Sequence, residues 1–413
     1  MQQNYRQRAD LTFKHNSQNG RHGWLRLTPA YSVKIVHRLL KGEPPGLSVL
    51  DPFSGTATTA LCAAEYGHNA VAVDINPFLV WFGKAKTSIY SPENIEAASE
   101  AGKAVAQAVA SRAIEPVPVP PISNAERWWD AENLDYLCLT RAAIKKESEQ
   151  RTPVRDLLDV AFCRCLIRLS NAAFNHQSMS FRDKKPDPPM SLWSTTTPQH
   201  DGEFLKDLDF VLHSASENPI CPGRVILGDS RQLAELSDGK YDLLITSPPY
   251  PNRMSYIREL RPYMYWLGYL KAAQQAGDMD WQAIGGTWGS ATSRLAEWKP
   301  DARTVTPESI GEILAQIRAK GEKSGHLLSN YVGKYFEDMS AHIQSVGAVL
   351  KAGARVHYIV GNSSFYGVLV PTERLYADLM EKAGFRQITI DVIRKRNSKT
   401  ALFEFDVSAV WSG

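Results

Sequence analysis

The sequence predicts an α/β chain: a doubly wound, mostly parallel sheet with a C-terminal antiparallel hairpin and helical insertions. Three observations lead there. Residues 46–77, "GLSVLDPFSGTATTALCAAEYGHNAVAVDINP", spell strand, glycine-containing loop, helix and strand, which is one βαβ unit. "YDLLITSPPY", 241–250, ends another apolar run with two prolines. Proline cannot donate to a sheet ladder, so that strand stops near Thr246 and the chain turns out at its carboxyl end. "QITIDVIRKRNSKTALFEFDVSAVW" near the end reads as two strands joined by a basic, polar turn.

The elements follow in order. Residues 31–42, "YSVKIVHRLLKG", read as an amphipathic helix stopped by Gly42. Leu47 to Leu50 form the first strand, Thr58 to Tyr66 a helix with Gly67 as its stop, and Ala70 to Val73 a strand ending in Asp74. Residues 91–216 break the alternation with helical stretches separated by "EPVPVPPIS" and "RDKKPDPPMS", a helical insertion with proline-rich loops. Strand patterns return at Arg224–Leu227 and Leu243–Ile245, and a second insertion, 271–330, has no strong period. "ARVHYIVGNS" is a strand and turn, and "TERLYADLMEKAGF" a helix stopped by Gly384. The expected organisation is a catalytic domain in three parts, 20–90, 217–270 and 331–413, with insertions at 91–216 and 271–330.

Composition excludes several classes. With 43% hydrophobic and 22% charged residues in 413, this is ordinary globular composition. No apolar run reaches the roughly 18 residues of a membrane span, and the polar amino terminus lacks a signal-peptide core, so a cytoplasmic protein is expected. The five cysteines have neither disulfide nor zinc-ligand spacing, so no metal is expected. A net charge of +3 permits a local basic face and nothing more.

Three carboxylates, Asp51, Asp74 and Asp229, close three successive strands. Ligands of open α/β sheets bind outside the carboxyl ends of strands, and an acid at the second strand suits ribose hydroxyls. Gly55 lets the backbone approach a ligand, while neither the dinucleotide glycine pattern nor a P-loop lysine is present. An adenosine ligand fits better than a phosphate one.

On these residues the chain resembles the S-adenosylmethionine-dependent amino-methyltransferases of DNA. "DPFSGTATT" looks like their first motif, "VAVDIN" the second, "LGDS" the third and "TSPPY" the base-holding motif, with "HGWLRLTPAYS" similar to the segment that precedes the first. The resemblance covers 20–90, about 224–270 and 353–411, and implies a Rossmann-like methyltransferase sheet. Ala57 stands where the family commonly has glycine. The resemblance further implies that Asp51, Phe53, Gly55 and Thr56 surround the methionine part of S-adenosyl-L-methionine. Asp74 would take the ribose hydroxyls, Ile75 the adenine face and Asp229 the adenine amino group. Ser247 and the Pro248 carbonyl would accept from the target amino group, Pro249 would stiffen the loop, and Tyr250 would stack on a flipped base.

Such chemistry needs these residue types. An exocyclic amine donates its lone pair into the ring, and two acceptors that draw its hydrogens out of plane restore nucleophilicity. The rest is positioning and electrostatics. No cysteine adjoins "TSPPY", which disfavours methylation at cytosine carbon-5. Serine before the prolines resembles the cytosine-N4 members, and adenine-N6 DNA or RNA base-amine methylation are the alternatives. Double-stranded DNA is the expected partner, with a cognate restriction endonuclease acting on the same site.

Basic residues beside the motif suit phosphate contact: Arg253, Arg258 and Arg261 with Tyr256, Tyr263 and Tyr265, and Arg394, Lys395, Arg396 and Lys399 in the C-terminal turn. Ile257, Leu260, Met264, Leu267 and Leu270 recur at helical spacing and should face the core. "SFRDKKP", 180–186, is a weaker basic candidate. Lone His176 and His357 default to structural roles, and Asn362 and Ser363 either line the site or make a turn. Target recognition is expected from 271–330 acting with part of the first insertion.

Overall fold

A computed structural model describes residues 7–17, 19–27, 30–148, 152–173, 180–181, 200, 202–236, 239–252, 255–287, 290–396 and 401–413. The main sheet has seven strands: β1 Ser48–Asp51, β2 Asn69–Asp74, β3 Arg224–Leu227, β4 Tyr241–Thr246, β5 Leu350–Gly361, β6 Phe385–Lys395 and β7 Phe403–Trp411. Their spatial order is β3-β2-β1-β4-β5-β7-β6. The pairs from β3 through β5 are parallel. The hairpin strand β7 inserts antiparallel between β5 and β6. This is the doubly wound, Rossmann-like methyltransferase sheet with its C-terminal hairpin, as expected.

Successive residues of the central strands face opposite sides of the sheet, and the clusters they join assign the faces. Val49, Leu243 and Ile245 pack with the helices Val33–Leu40, Thr58–Glu65 and Pro77–Thr87. Leu50 and Leu244, one residue over, pack with the helices Glu322–Val349 and Thr372–Lys382. Strands buried on both faces carry continuous apolar runs, which is why no polar alternation marked them in the sequence. The insertion helices Pro92–Ala110, Ala131–Glu147, Pro153–Arg168 and Glu203–Ala215 form a third cluster with the helix Tyr256–Trp266 that follows the proline motif. Ile257, Leu260, Met264, Leu267 and Leu270 are all buried there, the core face their spacing calls for.

The second insertion departs from its unperiodic sequence. It holds the helices Ala273–Gln282, Ser290–Glu297 and Ile310–Lys320, then enters the 28-residue helix Glu322–Val349, which runs through positions 330 and 331 without a break. Glycines hid this helix. A side chain at Gly333 would press on the Trp298 ring, and one at Gly347 on the Trp411 ring, so poor helix formers stand where large rings pack close. No helix among the described residues is long and apolar enough to cross a membrane.

Candidate active site

Strand β1 neighbours both β2 and β4, so the direction of winding reverses between β1 and β4. A crevice opens at such a switch point outside the carboxyl ends. The loops leaving β1, β2, β3 and β4 meet there around a cleft of about 1020 Å³. Phe53, Gly55, Thr56, Asp74, Ile75, Asp229, Ser247 and Pro249 line it, so four separate motifs converge.

Asp51 sits beneath the cleft, 1% exposed. Its Oδ1 accepts from Thr246 Oγ1 at 2.6 Å and from the Phe53 amide at 3.1 Å. Oδ2 is buried with no hydrogen-bond partner among the described residues. Burial pushes this carboxyl up to about 6. An orphaned buried acceptor is costly unless a ligand donor completes it, and an ammonium group does so. Asp74 accepts from the Gly55 amide and the Asn76 amide, both at 2.8 Å, and burial lifts it to about 7. Its bond to Gly55 ties the β1 loop to the end of β2.

Asp229 lines the cleft with a partner of its own. Burial drives its pKa upward, but the bidentate Arg231 guanidinium outweighs it and holds the carboxyl below its ordinary value. Arg231 also binds Asp338 Oδ1 at 2.6 Å on the long helix. Phe53 meets the neutral His342 ring edge-on at 4.7 Å, and burial holds that imidazole down at about 4.

The proline loop is fixed from below. Ser247 Oγ donates to the Ile359 carbonyl at 3.1 Å, which commits its proton inward and leaves its lone pairs as acceptors. Pro248 is buried, and the Pro249 carbonyl accepts from Tyr335 at 2.7 Å. Tyr250 turns toward the C-terminal hairpin rather than into the main cleft. Its hydroxyl donates to Glu404 Oε1 at 3.0 Å, and the Arg396 guanidinium lies 4.9 Å from its ring centroid. The aromatic wall of the main cleft at this loop is Tyr256, whose hydroxyl receives the Tyr250 amide at 3.2 Å.

The basic residues divide. Arg258 is exposed on the helix beside the cleft. Arg394, expected to contact phosphate, is bound to Glu404 at 2.7 and 3.1 Å within the C-terminal hairpin. Lys395 is half-buried on β6, and Arg396 belongs to the Tyr250 platform. Tyr263 stacks on Phe78 at 5.3 Å inside the core, and Tyr265 is buried too, so neither offers a ring to a base. Arg253, Lys399, His176 and most of 180–186 lie outside the described residues. His357 binds Asp406 at 3.0 Å.

Several site residues carried no separate signal. Thr246 and Tyr335 act through hydrogen bonds, and Glu404 reaches Tyr250 from 154 positions away. Tyr31, in the segment preceding the first motif, lines the cleft and bonds Thr59. Elsewhere His22, Cys62 and Glu65 bring ligand-type atoms within 4.8 Å of one another, His22 from the turn Gly20–Gly23 meeting Cys62 and Glu65 on the helix Thr58–Glu65. His37 flanks the same carboxylate at 3.6 Å.

Ala57 caps the motif helix in the left-handed region, at φ 55° and ψ 38°. That conformation costs an L-residue about 1–2 kcal/mol. Glycine would relieve it while losing about 0.8 kcal/mol of methyl burial and about 0.4–1 kcal/mol of chain entropy. The terms nearly cancel. Ala57→Gly is therefore expected to keep stability within about 1 kcal/mol, and to keep cofactor affinity, by thermal denaturation and cofactor titration. A large loss of affinity would show that the methyl shapes the site.

A crevice at the switch point, an acid closing each of three strands and a 3-2-1-4-5-7-6 sheet give the chain a Rossmann-like methyltransferase fold. The particular likeness is to Type II methyltransferases. The chain is 23% identical over 435 residues to Type II methyltransferase M.BsoBI of Geobacillus stearothermophilus, covering 95% of this chain and 84% of that protein. M.MvaI of Kocuria varians matches at 20% over 86% of this chain and 79% of its own length. M.AvaI of Nostoc sp. matches at 21% over 92% and 82%. No family model matches the chain. Among solved structures, TrmN from Thermus thermophilus aligns with 97% of this chain and 53% of its own, at 12% identity and a TM-score of 0.31. The resemblance drawn from the motifs is borne out, and the aligned length extends beyond the motif segments to most of the chain.

Proposed function

We propose that this chain is a site-specific DNA methyltransferase that moves a methyl group from S-adenosyl-L-methionine to the exocyclic amine of a flipped base, cytosine-N4 by preference, within a restriction-modification system. A cognate endonuclease acting on the same site is the implied companion. The observation that carries this is Ser247. Its proton is held by the Ile359 carbonyl, so at the cleft it can only accept, and it stands beside the loops that bear Asp74 and Asp229.

The residues fit the cofactor. The unpartnered Asp51 Oδ2 would take the methionine ammonium, Asp74 the ribose hydroxyls, Ile75 the adenine face and Asp229 the adenine amine. Phe53, Gly55 and Thr56 complete the wall. When bound, the cofactor supplies an electrophilic methyl on a sulfonium. Ser247 and the Pro248 carbonyl would draw the amine hydrogens out of the base plane and leave its lone pair facing that methyl. Pro248 and Pro249, with Tyr335 holding the latter's carbonyl, keep the acceptors from relaxing. Charge appears on nitrogen during transfer, and fixed acceptors stabilise it without reorganising. Tyr250 would supply the stacking ring. Arg253, Arg258, Lys395 and Arg396 would contact phosphates, with Arg394 acting through Glu404. Serine before the prolines supports cytosine over adenine.

Transfer of labelled methyl from S-adenosyl-L-methionine to duplex DNA, single-stranded DNA and RNA tests this directly. Label in DNA, recovered as N4-methylcytosine, is the expected result. N6-methyladenine would replace the base assignment, label in RNA alone would replace the substrate, and no label anywhere would sink the enzymatic reading.

A further inference from the structure

A second cleft, of about 680 Å³, adjoins the base loop and has no part in the scheme above. Asn252, Leu328, Asn362, Ser363, Ser364, Phe365, Tyr366, Arg396 and Leu402 line it, and three features make it a binding site rather than a surface dent. The first is Arg396, which is common to both sites. Its guanidinium covers the Tyr250 ring, and its Nη1 donates to the Asn362 carbonyl at 2.9 Å. It makes no ion pair with any described carboxylate. A side chain at Gly361 would collide with Arg396 and crowd the Tyr250 ring, so this stack is seated on bare backbone.

The second is Ser363, 5% exposed, whose Oγ is buried without a hydrogen-bond partner among the described residues. Buried hydroxyls are ordinarily satisfied, and this one borders the cleft. The third is the short hairpin Ser363–Phe365 and Val368–Val370. Its turn is Tyr366-Gly367, with φ 51° and 78°. Two positive φ angles favour Asn-Gly, so a tyrosine there sits against its conformational preference. The result is an aromatic ring, 47% exposed, at the rim.

A guanidinium without a carboxylate, an unsatisfied hydroxyl and an exposed ring are the complement of a phosphate, a sugar and a base. We propose that this cleft receives the nucleotide next to the target base. Tyr366 stacks on its base, Ser363 bonds its sugar or phosphate, and Arg396 grips the phosphate between the two nucleotides. The proposal rests on the DNA-methyltransferase function above.

Tyr366→Asn is the telling variant, because asparagine suits the left-handed position and removes only the ring. It is expected to raise KM for plasmid DNA in labelled-methyl transfer about tenfold, the scale of one lost base stack, with kcat and cofactor affinity within about twofold and Tm no lower. Ser363→Ala is expected to raise KM about threefold without loss of Tm, since it deletes an unpaired buried hydroxyl. Unchanged KM in both variants overturns the proposal. So does a rise in KM that comes with an equal fall in Tm, which marks a purely structural role. Anisotropy with a labelled short oligodeoxycytidine separates this from the parent function. Wild type that binds the oligomer more tightly than Tyr366→Asn yet methylates no DNA keeps the cleft and loses the activity. Wild type that methylates, with Tyr366→Asn its equal in both readouts, loses the cleft alone.

Discussion

Ser247→Ala is expected to lower the rate of methyl transfer by about 10²–10³-fold, the usual effect of deleting one preorganised polar contact to developing charge. The Kd for S-adenosyl-L-methionine should move less than twofold. Alanine removes the acceptor and leaves the Ile359 carbonyl without its donor, but Asp74 and the β1 loop remain tied by the Gly55 amide. Tyr250→Ala should lose a similar factor through a weaker grip on the base, appearing in KM for DNA as well as in kcat. Tyr250→Phe keeps the ring and breaks only the bond to Glu404, so it should retain most of the binding. Rapid-quench transfer and equilibrium cofactor titration, run on the same preparations, distinguish these cases. A Ser247→Ala enzyme with wild-type turnover would remove this residue from the chemistry and the cytosine preference with it.

The second large effect is a pH dependence in which the stability of the free protein and its affinity for cofactor run in opposite directions. Burial raises Asp51 to about 6 and Asp74 to about 7 in the folded chain, against an ordinary 3.8. Between those values the folded state binds more protons than the unfolded one, so stability of the free protein falls as pH rises from about 4 to 7. At the proposed cofactor site both carboxylates must be ionised, because one would face an ammonium and the other would accept from hydroxyls. Affinity should therefore climb through the same window, by about tenfold per pH unit for each group still protonated. The increase in Tm on adding S-adenosyl-L-methionine should be much larger at pH 8 than at pH 5.5. Asp74→Ala should abolish that increase at both. An affinity that stays flat with pH, or an Asp74→Ala protein that still binds at the wild-type level, contradicts the assignment of the ribose site.

What the residues disclosed beforehand follows from how local the signal was. The βαβ unit, the proline stop after Thr246 and the C-terminal hairpin each rest on contiguous residues, and each stands where its pattern put it. Asp51, Asp74, Asp229 and Ser247 converge because parallel strands bring their carboxyl ends to one edge, a consequence of topology rather than of any single motif. What escaped notice depends on distant partners. The pairing of Arg394 with Glu404 on β7 carried no signal in the basic turn itself. The contacts of Arg396 and Glu404 with the Tyr250 ring and hydroxyl come from the C-terminal hairpin and carried no signal at residue 250. The helix Glu322–Val349 was masked by glycines whose reason lies in tryptophans elsewhere in the chain. His22 meets Cys62 and Glu65 of the helix Thr58–Glu65 only through tertiary packing.

That helix sets a rule for anyone who would rebuild this protein. Tyr335 on it holds the proline loop, Asp338 holds Arg231, and His342 holds Phe53 and the Ser230 carbonyl, while its first turns belong to the second insertion. A chimera that exchanges the insertion at position 330 splices two foreign half-helices and misaligns every one of those grips. A seam at Gly321, where one helix stops before the next begins, leaves the whole lever intact. The second insertion, in this architecture, is not a cassette clipped onto the sheet: the shaft that grips the site loops starts inside the cassette.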